Sequence, residues 1–328
     1  IAFTLTDNAE DALKKRREKF GDFRIEDEDY QRARLCLLNV ETRKVQYLTG
    51  SERFHISALH WSPDGSRIAL VAEPSPDMKD YVNGSLYVFH LEGQEIQQLV
   101  ETGVDSALWS PDGKYLAFTR MHVPQTYKNT QLCLVPVVGG EVQTIPVDLD
   151  ENQMLQAWGP DGIYFTALMR TGGHLFHVNP ENGKTSQLTP DISGWFSLEC
   201  TFSHDYSHAA CAACTQEEYL EIHYLDFQQH TASKLTDFNS LIKGWSLGEK
   251  ETFRWISQDG AEIEGVLTKP VNFDPQQKYP LLVVLHGVPT LASLLGKLMG
   301  LESRFSPSQQ WAAKVALILE TNYRGSRA

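Results

Sequence analysis

No apolar run in the sequence approaches the ~18 residues of a membrane-spanning helix. Positive charge is also in deficit, because 29 Lys and Arg against 42 Asp and Glu leave a net charge of −13. Nucleic acid and anionic membrane both require a positive footprint, so neither is expected as a partner. Cysteine is sparse. Cys36, Cys133, Cys200, Cys211 and Cys214 are the five, an odd number with no secretory pattern ahead of them. That argues against a disulfide framework and for a reduced, cytoplasmic setting. Cys211-Ala-Ala-Cys214 has the spacing of a redox or metal pair, yet it lies in an expected strand with no second CxxC to partner it, and reads as buried thiols. Helices are scarce as well. In the first half only Asn8 to Gly21 has helix chemistry, with an Asn to cap, acids in the first turn, bases later and Gly at the end; it carries few apolar residues and reads as a solvated insertion.

What the chain does have is a repeat. Trp61-Ser62-Pro63-Asp64-Gly65 returns as Trp109-Ser110-Pro111-Asp112-Gly113 and as Trp158-Gly159-Pro160-Asp161-Gly162, and Phe202-Ser203-His204-Asp205-Tyr206 is a decayed fourth copy. The spacings are 48, 49 and 44 residues. A period of that size without helix-length segments between copies predicts a β-propeller or a related array of β-units.

Each unit reads as strand, turn, strand, turn, strand. Pro fixes φ in the Ser-Pro-Asp-Gly turn, while Ser suits its first position and Gly its last. An apolar strand follows each copy: Ile68–Ala72, Tyr115–Phe118, Ile163–Thr166 and His208–Cys211. The next strand recurs five times, as Leu35–Leu38, Leu86–Phe89, Leu132–Val135, Leu175–Val178 and Ile222–Leu225, and a third ends in segments such as Tyr47-Leu48-Thr49 and Gln187-Leu188-Thr189. One such unit can bury its apolar faces only against neighbours, so the units are expected to stack as blades. Four are complete and the first is partial. A ring of four or five blades is physically allowed, but the shortened first unit and the start at Ile1 suggest further blades upstream.

The repeat stops near residue 250. Gln258-Asp259-Gly260 marks a hairpin, Pro270 to Pro280 is a Pro-rich connector, and Leu281–Leu285 is a continuous apolar run of the kind found in strands covered on both faces. A short helix over Gln309–Ala313 and a strand over Val315–Leu319 complete a strand-helix-strand, the opening of an α/β sheet. The 328 residues, 41% of them hydrophobic, suffice for two domains. We place a β-propeller at residues 1–249 and the N-terminal part of an α/β-hydrolase domain at residues 250–328.

Residues 260–290, GAEIEGVLTKPVNFDPQQKYPLLVVLHGVPT, with the later Asn322-Tyr323-Arg324-Gly325-Ser326, resemble the hydrolase domain of prolyl oligopeptidase family serine peptidases, in particular the acylaminoacyl-peptidase and dipeptidyl-aminopeptidase-like branch. The resemblance extends to the whole chain through the propeller repeats. It implies about seven blades covering an active site that admits only short or N-acylated peptides. It further implies a Ser-His-Asp reaction with a backbone oxyanion hole, no metal or organic cofactor, and leaves a homo-oligomer open.

By that resemblance Gly287 and Val288 stand at the oxyanion hole, where the family carries Gly-Gly. The Val288 N–H survives the change, but a β-branched residue does not easily take positive φ, and a merely structural loop is the alternative. His286 is expected to shape the loop and not to act as the base. Gly244-Trp245-Ser246-Leu247-Gly248 matches G-x-S-x-G, yet such a serine needs a buried strand before it and a helix after it. Neither flank fits, so Ser246 reads as a linker residue. The triad is then expected beyond Ala328, with residues 1–328 inactive alone and poorly soluble. Glu217, Glu218 and Glu221 read as a solvated acidic patch, with recognition of a peptide amino terminus as the alternative. The competing function is a non-catalytic propeller binding module or remnant.

Overall fold

In the computed structural model, which describes residues 1–6, 11–21, 30–50, 54–121, 128–287, 292–298 and 307–324, the recurring turn is a hydrogen-bonded unit built by its own side chains. The hydroxyl of Ser110 donates to Asp112 Oδ1 (2.7 Å) and accepts the amide of Tyr115 (2.9 Å), while the Gly113 amide donates to the Ser110 carbonyl (2.9 Å). Asp64 and Asp112, held by the turn serine and by the following amides, have carboxyls lowered to about 2. The fourth copy keeps this geometry: Ser203 bonds Asp205, and Tyr206 takes the left-handed position at φ 56° that Gly65 and Gly113 hold at 69° and 68°. The third copy lacks the serine and tightens into a two-residue loop, with Gly159 paired to Gly162.

The chain divides into two compact units, Ile1–Pro146 and Val147–Ala328. In the first, β1 (Ala2–Thr6), helix α1 (Asp11–Phe20), β2 (Ala33–Leu38) and β3 (Val45–Tyr47) give a three-stranded sheet with one helix inserted. Gly21 ends the helix at φ 90°; the expected start at Asn8 lies outside the described residues. Two antiparallel four-stranded meanders follow. One is β4 (His55–Trp61), β5 (Arg67–Glu73), β6 (Ser85–His90) and β7 (Glu95–Val100); the other is β8 (Val104–Trp109), β9 (Tyr115–Arg120), β10 (Gln131–Pro136) and β11 (Gln143–Thr144). They pack face to face. Val71, Leu86 and Val88 of one meet Trp109, Leu116, Phe118 and Val135 of the other, each such burial worth about 1.5–3 kcal/mol. Trp109 also donates its indole N–H to the His60 carbonyl of the preceding sheet (2.9 Å). This contact ties the two meanders through Trp109, whereas Trp61 at the same position of the repeat is exposed.

The second unit holds two more meanders: β12 (Met154–Gly159), β13 (Gly162–Met169), β14 (Gly172–Val178) and β15 (Thr185–Gln187), then β16 (Phe196–Phe202), β17 (His208–Cys214), β18 (Glu221–Asp226) and β19 (Thr231–Lys234). A single parallel pairing, Gly173 with Phe196, links them. Tyr164 and Leu175 bury against Ala209, Cys211, Ala213 and Leu225, and the Tyr164 ring stacks on Tyr206 at 5.5 Å. Each meander has one strand more than the sequence pattern indicates. The extra strand, β4, β8, β12 or β16, leads into the Trp or Phe of the motif, and its mixed polarity, as in HISALHW, hides it.

The remainder forms a mixed sheet from β20 (Lys250–Ile256), β21 (Glu262–Thr268), β22 (Leu281–Leu285), helix α2 (Ser308–Ala313) and β23 (Leu317–Asn322), in the order β20-β21-β23-β22. β22 and β23 run parallel; the other pairs are antiparallel. Two expectations are corrected here. The last strand begins at Leu317, because Val315 takes a left-handed φ of 65° after α2. The apolar run of β22 is not covered on both faces among the described residues: Leu281, Val283 and Leu285, which share one face, are 52%, 54% and 68% exposed, because no described element packs over that face.

Candidate functional site

The two sequence motifs after residue 280 meet in space because parallel neighbours end side by side. β22 delivers His286 and β23 delivers Asn322 and Tyr323 to the same end of the sheet. The Tyr323 ring stacks on the His286 imidazole (centroids 4.7 Å apart), and its hydroxyl donates to the His286 carbonyl (2.6 Å). His286 is buried, and its Nδ1 lies 3.3 Å from the Gly287 carbonyl. The imidazole is therefore engaged by the Tyr323 ring and by the Gly287 main chain. Gly287 is exposed just past β22 and has open space where a side chain would stand. Val288, Pro289 and Thr290 lie outside the described residues, as do Gly325 and Ser326.

Asn322 fixes the segment that follows. Its Oδ1 accepts the Ser293 amide (2.6 Å), and its Nδ2 donates to the carbonyls of Ser293 (3.2 Å) and Arg170 (3.4 Å). Residues 292–298 then run along the strand ends of the two meanders. The amide of Leu295 donates to the Thr171 carbonyl (2.9 Å) and that of Lys297 to the Thr215 carbonyl (2.7 Å), while Leu294 packs on Phe196 and Cys214. Beyond Tyr323, Arg324 forms an exposed ion pair with Asp259 in the β20–β21 turn.

Beside this segment lies an open polar cleft of about 710 Å³, whose lining includes Glu217, Glu218, Asp237, Trp245, Lys297 and Gln309. Many of its polar groups serve the fold. Lys297 Nζ donates to the Glu217 carbonyl (2.8 Å), Gln216 Nε2 to the Lys250 carbonyl (2.6 Å), and Gln309 bonds both the amide and the carbonyl of Gly248. Glu218 pairs with Lys234 (2.6 Å). Glu221 corrects the reading of a solvated patch, for it is fully buried. Burial raises its carboxyl, but hydrogen bonds from the Thr236 hydroxyl, the amides of Phe238 and Asn239 and the Asn239 side chain outweigh this and hold it down to about 2. It organises the 3-10 turn at Phe238–Ile242.

Ser246 is exposed in the loop between that turn and β20, with a strand ahead of it and no helix. A different Ser-His-Asp set, which no sequence motif marks, is brought together by the fold: Ser207 Oγ lies 2.7 Å from His208 Nδ1, and His208 Nε2 lies 3.7 Å from Asp226. Ser207 belongs to the fourth Ser-x-Asp turn, and Asp226 Oδ1 already accepts the amides of Gln228 and Gln229 (each 2.9 Å). It lacks the strand-to-helix elbow that exposes a nucleophile. No group of three or more His, Cys, Asp or Glu among the described residues is arranged to hold a metal.

No family model matches the sequence. Among curated proteins, the chain is 24% identical over 244 residues to dipeptidyl-peptidase 5 of Porphyromonas gingivalis, a match that covers 71% of this chain and 35% of the relative. Among solved structures, it superposes on an acylaminoacyl peptidase of Pyrococcus horikoshii with a TM-score of 0.72 at 20% identity, covering 99% of this chain and 49% of that one. It superposes on dipeptidyl peptidase 4 of Porphyromonas gingivalis with a TM-score of 0.65 at 15% identity, covering 90% of this chain and 42% of that one. The chain thus spans about a third of the length of the curated relatives it matches. Over most of its length it is similar to the propeller region of prolyl oligopeptidase family peptidases, and its four-stranded antiparallel sheets are consistent with propeller blades.

Proposed function

We infer that this propeller-bearing chain belongs to a serine peptidase that releases N-terminal acylamino acids or short units from small peptides, with the propeller limiting access. In this reading residues 1–249 are part of a propeller of about seven blades, and residues 250–328 are the start of an α/β-hydrolase domain working in a reduced, cytoplasmic compartment. The observation that carries it is the clasp of Tyr323 on His286. It brings the His-Gly and Asn-Tyr-Arg motifs to one end of a parallel strand pair, where an α/β sheet presents its chemistry outside the carboxyl ends of its strands.

In this mechanism the loop after β22 supplies backbone N–H groups to the tetrahedral oxyanion, the amides of Gly287 and Val288 being the donors. Donors of this kind act because they are fixed before charge develops on the carbonyl oxygen. In support of this reading, the Tyr323–His286 and Asn322–Ser293 bonds hold His286 and Ser293, the described residues on either side. The nucleophile is not Ser246, and residues 1–328 alone are inactive. The test is capture by a fluorophosphonate probe. The product of the full reading frame is expected to be labelled and residues 1–328 are not; labelling of residues 1–328 at Ser246 would overturn the assignment.

A further inference from the structure

We propose that Cys200 and Cys211 form a reversible disulfide on exposure to hydrogen peroxide, and that Cys214, despite its CxxC spacing from Cys211, takes no part. The inference is independent of the peptidase reading. Side chains alternate along a strand, so Cys211 and Cys214, three apart on β17, point to opposite faces. Across the ladder, Cys211 stands directly opposite Cys200 of β16.

The kind of pairing follows from the hydrogen bonds. The Ser203 amide donates to the His208 carbonyl at the hairpin end (3.0 Å). Counting back along the register, Phe202–Ala209 is a non-hydrogen-bonded pair, Thr201–Ala210 a bonded one, and Cys200–Cys211 again non-bonded. The Cys200 amide agrees with this, since it points away from β17 and donates to Gln156 Oε1 (3.1 Å). Such pairs have Cα atoms about 4.5 Å apart, within the about 4.4–6.8 Å that a disulfide spans. Both side chains also pack in the same cluster, and the proximity of the two thiols pushes Cys200 up and draws Cys211 down.

The environments favour this pair over the other cysteines. Cys211 is buried but joins Cys200, which is partly exposed and gives a small oxidant access. Cys36, Cys133 and Cys214 are buried, and burial pushes the Cys214 thiol up to about 12. In the first step the Cys211 thiolate attacks peroxide; the S–O bond forms as O–O breaks, and hydroxide leaves to take up a proton as water. In the second step Cys200 sulfur attacks the sulfenic acid; S–S forms, S–O breaks, and water carries off the thiol proton. Two thiols lose two electrons and two protons, and one peroxide becomes two waters. A low-molecular-weight thiol restores the dithiol by exchange, two such thiols being oxidised to their own disulfide.

The experiment treats the full 328-residue chain with hydrogen peroxide and then alkylates the remaining thiols. The expected product is lighter than the untreated chain by about 2 Da before alkylation, the two hydrogens lost. Cleavage ahead of Asp191, Asp205 and Asp226 should then give fragments 191–204 and 205–225 joined until a reductant is added. Cys214→Ser should leave the link intact and Cys200→Ser should abolish it. Oxidised chain should melt about 5 °C higher than reduced chain, from closing a short loop. Addition of oxygen without joined fragments, a link lost in Cys214→Ser, or a link surviving in Cys200→Ser would each overturn the proposal.

Discussion

Tyr323 donates its hydroxyl to the main-chain carbonyl of His286 at 2.6 Å, 37 residues back in the sequence, with the two rings stacked. One side chain thereby couples the turn after β22 to the turn after β23. Removing only that oxygen, by Tyr323→Phe, keeps the stacking and removes this one hydrogen bond from the carbonyl. The expected loss is about 1–2 kcal/mol in urea unfolding, read as a lower midpoint at unchanged slope. An unchanged midpoint would mean that stacking alone holds the clasp.

Glu221 predicts a pH signature. Its folded carboxyl lies at about 2, below the ordinary glutamate value of about 4.3 in the unfolded chain. The stabilisation is therefore fully present above that unfolded value and is lost as pH falls through about 2. Glu221→Gln should lower the melting midpoint at neutral pH and flatten the acid limb of the stability profile. A parallel loss at all pH values would assign the effect to packing.

Gly162 is a position where a side chain is poorly tolerated on two counts, a positive φ and a close approach. At φ 151° its added Cβ would meet the Val178 carbonyl oxygen at 2.4 Å and His177 Nε2 at 2.6 Å. Gly162→Ala should cost about 3 kcal/mol, whereas Gly260→Ala at the exposed Asp-Gly turn, which meets nothing within 4 Å but has a φ of 87°, should cost about 1 kcal/mol. Differential scanning calorimetry of both variants checks the ranking.

Much of this architecture was legible because its signals are local. The Ser-Pro-Asp-Gly turn carries its own hydrogen bonds, so Ser62, Ser110 and Ser203 betray the same reversal wherever they occur. The strand before each turn was not legible. His55–Trp61 alternates weakly, and its partner β5 is specified by register and burial that depend on the neighbouring meander. Cys211 and Cys214 are related by sequence spacing alone, while the juxtaposition of Cys211 with Cys200 is set by strand pairing that the sequence does not show. Likewise Glu221 resembled a surface acid beside Glu217 and Glu218 until the fold placed four donors around it.

β22 predicts behaviour in solution. Leu281, Val283 and Leu285 are more than half exposed on an edge strand, a template for unwanted pairing. Residues 1–328 should therefore self-associate, and Val283→Lys should raise the monomer fraction in light scattering. A monodisperse parent chain would show that the edge is protected.

We propose that the His286–Tyr323 clasp frames the oxyanion side of a peptidase site for short peptides. The most direct test is kcat/KM of the full reading-frame product on N-acetyl-aminoacyl and dipeptidyl p-nitroanilides, compared with its Tyr323→Phe variant. The account predicts cleavage that a fluorophosphonate abolishes and a fall of about tenfold in kcat/KM in the variant, the equivalent of about 1.4 kcal/mol of transition-state stabilisation. Absence of cleavage of both substrate classes by a folded product, with no fluorophosphonate labelling, would contradict it and leave the propeller as a binding module.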